Sequence, residues 1–262
     1  MKKKIISLTL IGAGFSFAFT DSDLDGVDDA IDKCPNTPFT QIVGPDGCPV
    51  GRVGQERKSG KRGTFYFKIG GGFSSEKSNT TTTSSISLAY AYQNWYASFS
   101  TTYFIHDDYV GKGGMGDSFL YGSYSKFIKN VYATIGLSVK IPTGNSDFSD
   151  KKVDITPSIS LDYIRGKDDY FVYYGYTFKG DDNLKDVQTA SIGAGYQFTK
   201  KFYGSLSFDW ATSAIDRKSK YTASLFALYN FTKRYYTTLS YSYGLNSRAT
   251  DHSALIKLGV RF

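Results

Sequence analysis

The densest run of chemically capable side chains is acidic and lies near the N-terminus, where residues 21–34 read D-S-D-L-D-G-V-D-D-A-I-D-K-C. Counting Asp21 as position 1 of an EF-hand-type loop puts Asp23 at 3, Asp25 at 5, Gly26 at 6, the Val27 carbonyl at 7, Asp29 at 9 and Asp32 at 12. Alternating carboxylates suit a hard cation that takes six to eight oxygens, and glycine at the sixth position permits the sharp turn that gathers them. Aspartate at the twelfth position is shorter than the usual glutamate, and Asp28 falls off the pattern. A stretch that served only to solubilise would need neither the glycine nor the register. Ca2+ is therefore the expected cofactor.

Two other groupings carry less. The only histidines are His106 and His252, and His106-Asp107-Asp108 is the minimum pairing that activates water or a nucleophile. No serine follows in the order that barrel phospholipases use, and a histidine beside acids in a loop is ordinarily a solvated cluster, so no enzymatic activity is expected. Gly70-Gly71-Gly72 and Gly113-Gly114 precede no helix whose dipole would hold a phosphate. The basic residues are spread over turns, which disfavours nucleic acid.

The elements that position these groups divide the chain in four. Lys2, Lys3 and Lys4 precede an apolar run over residues 5–19 with small residues at its end, the layout of a secretory signal peptide over residues 1–18. Its loss takes the formal charge from +7 to +4. Export makes disulfides persistent, and Cys34 and Cys48 allow one pairing, favoured over two free thiols. Residues 19–49 then form one module, and 50–63, with Gly51, Gly54, Gly60 and Gly63 among Arg52, Arg57, Lys58, Lys61 and Arg62, read as a flexible basic linker. The spacing from Asp21 to Cys34 resembles a thrombospondin type 3 repeat, and that resemblance implies calcium held by these aspartates. Cys34-Pro35-Asn36-Thr37-Pro38 and Gly47-Cys48-Pro49 are similar to segments of envelope proteins of the outer membrane protein A group. The resemblance covers about thirty residues, with one repeat where animal members stack many.

Residues 64–262 show no helical period and a recurring two-residue alternation, the mark of strands with two chemically different faces. Ala254, Ile256, Leu258, Val260 and Phe262 oppose Ser253, Leu255, Lys257, Gly259 and Arg261. About twelve such strands are expected, near 64–73, 84–92, 95–105, 117–127, 131–141, 153–164, 170–178, 187–198, 202–211, 220–231, 235–244 and 253–262. Short polar connections at 93–94, 128–130, 166–169, 199–201 and 232–234 alternate with longer ones around 74–83, 106–116, 142–152, 179–186, 212–219 and 245–252. That asymmetry, with an aromatic content of 17% beside a mean hydropathy of −0.31, predicts an all-β, antiparallel transmembrane β-barrel in place of a soluble sandwich. Strands this short suffice to span a bilayer at a tilt.

The alternation assigns Lys68, Lys126, Lys140, Asp154, Asp162, Asp209, Lys257 and Arg261 to the lumen, and Tyr90, Tyr92, Trp95, Phe198, Phe231, Tyr235, Tyr241 and Tyr243 to the outward face. Tyr66, Tyr132, Tyr203 and Tyr236 fall inward, with no reason evident from sequence. The terminal Phe262 resembles the C-terminal signal by which Gram-negative outer-membrane barrels are recognised for assembly. Lys140-Ile141-Pro142-Thr143-Gly144 is similar to a K-(L/I)-P-T-G turn of transport barrels of the meta-pathway phenol-degradation family, and reads equally as a strand-ending turn. The resemblances imply the cell outer membrane, with the N-terminal module in the periplasm, and as partners outer-membrane lipid, the barrel assembly machinery and small solutes. A channel or transporter for small solutes is the expectation. The alternative is a non-conducting barrel that anchors the calcium module or presents surface loops for adhesion.

Overall fold

The computed structural model describes residues 41–43, 49–52 and 63–262. The expected calcium loop, both cysteines, the expected signal peptide and most of the expected basic linker lie outside the described residues. Ahead of the barrel, β1 (Gln41–Val43) pairs antiparallel with β2 (Pro49–Arg52), a pair that straddles residue 50, where the sequence places the start of the linker.

The barrel strands are β3 (Thr64–Glu76), β4 (Asn79–Tyr92), β5 (Trp95–Asp107), β6 (Lys112–Ile128), β7 (Val131–Ile141), β8 (Asp154–Arg165), β9 (Asp168–Thr177), β10 (Val187–Thr199), β11 (Phe202–Thr212), β12 (Ser219–Asn230), β13 (Tyr235–Gly244) and β14 (His252–Arg261). Each pairs antiparallel with its sequence neighbours, and β14 closes on β3 with Lys257 opposite Gly70, so a closed barrel of twelve strands leaves no edge. Closure is what makes a sheet tolerable in lipid, since every ladder group finds a partner.

The two faces are inverted relative to a water-soluble protein. Large apolar side chains point away from the barrel: Ile135 is 61% exposed, Ile192 61% and Leu206 64%. The only buried apolar residues among those described are Ala89, Tyr236 and Ala249, whereas Ser118, Ser123, Ser125, Asp154, Gln197 and Asn230 are all buried. An outward belt of Phe, Leu and Ile around a polar interior is stable only against lipid.

The two rims differ. At one, the turn rim, the connections are residues 93–94, 129–130, 166–167, 200–201 and 231–234, and both Thr64 and the C-terminus lie there. At the other, the loop rim, β7–β8, β9–β10, β11–β12 and β13–β14 are joined by residues 142–153, 178–186, 213–218 and 245–251. The long loops expected around 74–83 and 106–116 are absent. There the strands continue to a two-residue turn at 77–78 and a four-residue turn at 108–111, so that β6 reaches 17 residues. Asn79, Thr80, Thr81, Thr82 and Thr83 are polar on both faces, so this upper part of the wall shows no alternation for the sequence to reveal.

Candidate functional site: the lumen and its mouth

The strand register fixes the inward residues. Lys68, Lys257 and Arg261 line the wall formed by β3 and β14, where Arg261 pairs with Tyr66 and Lys68 with Gly259. Asp162 (β8) and Asp209 (β11) face inward on other walls, and Lys140 (β7) faces inward opposite Asp154 (β8). Lys126 does not join them. It pairs with Ala133 on the outward side, in line with Leu120, Gly122, Tyr124 and Ile128, and is exposed. Both faces of β6 carry a mixture of aromatic, small and polar residues, so the alternation there is ambiguous and only the register decides. Lys126 lies two residues from the end of β6 at the turn rim, where a long lysine stem can cover apolar wall and keep its charge in water.

At the loop rim the lumen charges are paired. Lys140 Nζ donates to both Asp150 oxygens at 2.6 and 2.7 Å, lies 2.9 Å from Asp154 Oδ2 and is 3.7 Å from Asp117 Oδ2. Lys179 bonds Asp154 and lies 3.7 Å from Asp150. Asp117, Asp150 and Lys179 escaped the sequence reading: Asp150 and Lys179 sit in loops, where periodicity says nothing, and Asp117 lies within β6 where its pairing with β5 shifts register between Ser118 and Met115. Outside the strands, burial alone would raise the Asp150 carboxyl; the hydrogen bonds from Lys140 and the Lys152 amide together hold it below its ordinary value.

This cluster seats the β7–β8 loop in the mouth. Pro142-Thr143-Gly144 turns the chain back over β6: Gly144 N donates to Asp117 Oδ1 at 3.0 Å, and Thr143 Oγ1 meets Ser118 Oγ at 2.7 Å. Further along, Asn145 Oδ1 accepts from Met115 N at 2.6 Å, and the Phe148 ring stacks on inward-facing Phe104 with centroids 4.5 Å apart. A side chain at Gly114 would strike Phe148, and one at Gly116 would strike Phe104. The pair of glycines thus makes the space these rings occupy.

Deeper in the barrel, aromatic rings lie over glycines of the wall. Tyr121 covers Gly136, Phe171 covers Gly193, Tyr203 covers Gly195 and Tyr236 covers Gly259. Tyr121, Tyr203 and Tyr236 therefore lie along the sheet over glycines, whereas Tyr66 and Tyr96 border the lumen cavity. Arg261 sits over the Tyr236 ring at 4.4 Å from its centroid and donates to Asn230 Oδ1 at 2.7 Å. Across the barrel, Tyr203 OH donates to Asp169 Oδ2 at 2.7 Å. Asp169, which the sequence assigned to a turn, belongs to β9 and faces inward beside Asp162. A cavity of about 350 Å³ opens on the basic wall, bounded by Lys68, Lys257, Arg261, Tyr66, Tyr96 and Phe226 among others.

The histidines form no common centre. His106 Nε2 lies 3.2 Å from Asp108 Oδ1 on the exposed rim, while His252 Nδ1 meets Tyr241 OH at 2.8 Å on the outward face.

No family model matches the chain, and no curated protein does. Solved structures do. An outer membrane channel from Pseudomonas putida F1 superposes with a TM-score of 0.62 at 12% identity, covering 76% of this chain and 95% of its own. The NanC porin gives 0.56 at 15% identity, covering 75% and 98%, and the KdgM porin 0.52 at 13%, covering 76% and 98%. At these identities the likeness is one of fold.

Proposed function

We propose that the chain is an outer-membrane channel for small solutes. The observation that carries this reading is the inverted barrel: a closed wall, apolar outward and polar inward, that encloses a charged lumen with a cavity of about 350 Å³. Twelve strands enclose more than the eight that side chains just fill and less than a 16-strand porin. The similar folds are described as porins or channels, and one KdgM structure holds a disordered oligogalacturonate, in keeping with passage of small solutes. Short turns belong on the periplasmic side of such barrels, which puts the N-terminal module in the periplasm and the β7–β8 loop at the outer mouth. The test is reconstitution of the folded barrel in planar bilayers. Step-like currents are expected, and their absence would favour the second reading, a closed anchor, for which the seated loop with its Phe104–Phe148 stack speaks.

The proposal extends to Ca2+ in the N-terminal module, held by Asp21, Asp23, Asp25, the Val27 carbonyl, Asp29 and Asp32, with a Cys34–Cys48 disulfide closing the segment behind it. Calcium titration of the full chain followed by limited proteolysis checks it. Protection of residues 19–49 by micromolar to millimolar Ca2+, lost in Asp25→Asn, is the expected result; cleavage indifferent to Ca2+ ends this part of the reading.

A further inference from the structure

We infer that the basic wall of the lumen is a binding site for small aromatic carboxylates, an inference that names a substrate class for the channel reading and rests on it.

Lys68, Lys257 and Arg261 crowd one wall, close enough that the charges of Lys257 and Arg261 bear on Lys68. Among the described residues, no carboxylate lies within ion-pair distance of any of the three. The mouth shows the opposite arrangement, since every cation of that cluster is matched there by aspartates. Three neighbouring cations left unmatched inside a narrow wall are destabilising on their own and become favourable when an anion enters. Arg261 is held ready for one: Tyr236 supports its guanidinium face and Asn230 takes one of its donors, which leaves others toward the cavity.

The remainder of the cavity is not a site for a bare inorganic anion. Tyr66 and Tyr96 stand on one side of it and Phe226 on the other, from three different strands. Its volume of about 350 Å³ falls at the small end of the range for small-molecule sites, roughly 300–1,000 Å³. The complementary ligand is a flat apolar body bearing one carboxylate, with its ring among the aromatic side chains and its charge against the three cations.

The test uses the full chain, folded in detergent micelles, and isothermal titration with benzoate, acetate and benzylammonium. Benzoate is expected to bind saturably at one site, acetate about tenfold more weakly, and benzylammonium not at all. Lys257→Gln should weaken benzoate about tenfold, the loss of one charged contact. Competition by chloride in the unaltered protein reports the same charge dependence should that variant fail to fold. Equal binding of benzoate and benzylammonium, equal binding of benzoate and acetate, indifference to both Lys257→Gln and chloride, or no benzoate binding would each overturn the inference. Binding in micelles needs no conduction, so a barrel that passes current but ignores benzoate loses only the site, and one that binds benzoate but passes no current loses only the channel reading.

Discussion

Tyr236 and Gly259 face one another across β13 and β14, and the ring fills the space a side chain at 259 would need. Gly259→Ala must therefore push the ring into the lumen and take from Arg261 the face on which it rests. The expected cost is roughly 1–3 kcal/mol, as for other overpacked sites. In a double-mutant cycle with Tyr236→Ala the two losses should sum to more than the double variant shows, because the collision vanishes with the ring. Urea unfolding in lipid vesicles measures all three variants. The same kind of contact gives a reason for two of the inward tyrosines, Tyr236 and Tyr203 over Gly195. The residue types were legible, and so was their face, but a ring lying over a glycine of the neighbouring strand is a matter of pairing that no single-strand pattern contains. Lys126 is the converse case. On β6, Tyr121, Ser123 and Ser125 alternate with Leu120, Gly122 and Tyr124, and neither set is apolar enough to mark the lipid side. The register opposite Ala133 turns Lys126 outward.

The β7–β8 loop is the element whose position depends most on charge. Lys140 holds Asp150 while Gly144, near the start of the same loop, and Phe148, at its middle, fasten it to β6 and β5. Because Asp150 titrates below its ordinary value in the seated loop, its contribution is complete above the ordinary carboxylate range and is lost as pH falls through that lowered value. Below pH about 4 the loop should loosen, seen as larger current fluctuations in a bilayer recording, whereas between pH 5 and 8 they should not change. Asp150→Asn should show the fluctuating current already at neutral pH, and a variant as quiet as the unaltered protein would remove Asp150 from this role. Elements within the lipid-facing belt were largely legible, because each strand there separates water from lipid and must alternate. The upper wall formed by β3 to β6 was not, since the run of threonines from Thr80 to Thr83 is polar on both faces and carries no period. Where the sequence expected a loop, the two strands simply go on pairing to Glu76 and Asn79.

Over the whole molecule the lumen charges are nearly balanced yet kept apart. The basic wall on β14 and β3 stands five or six strands around the ring from β8 and β9, which carry Asp162 and Asp169, so positive and negative groups face each other across the lower lumen. Asp209 lies beyond the acidic wall and is occupied by Ser207 and Ser224 hydroxyls. A field directed across the lumen orients a dipolar or amphipathic solute without strongly excluding either sign of small ion. On the channel reading, the unaltered protein should accordingly show a reversal potential near zero in a potassium chloride gradient. Replacing Lys68, Lys257 and Arg261 together by glutamine leaves the acidic wall unopposed and should move that potential toward cation preference, whereas Asp162→Asn with Asp169→Asn should move it toward anions. The opposed shifts are the specific outcome, since a plug at the mouth or a general loosening would alter conductance in both variants without dividing them by sign. Both shifts should shrink as salt rises and the Debye length falls from about 10 Å at 0.1 M to about 3 Å at 1 M, because screening then isolates each wall from the centre of the lumen.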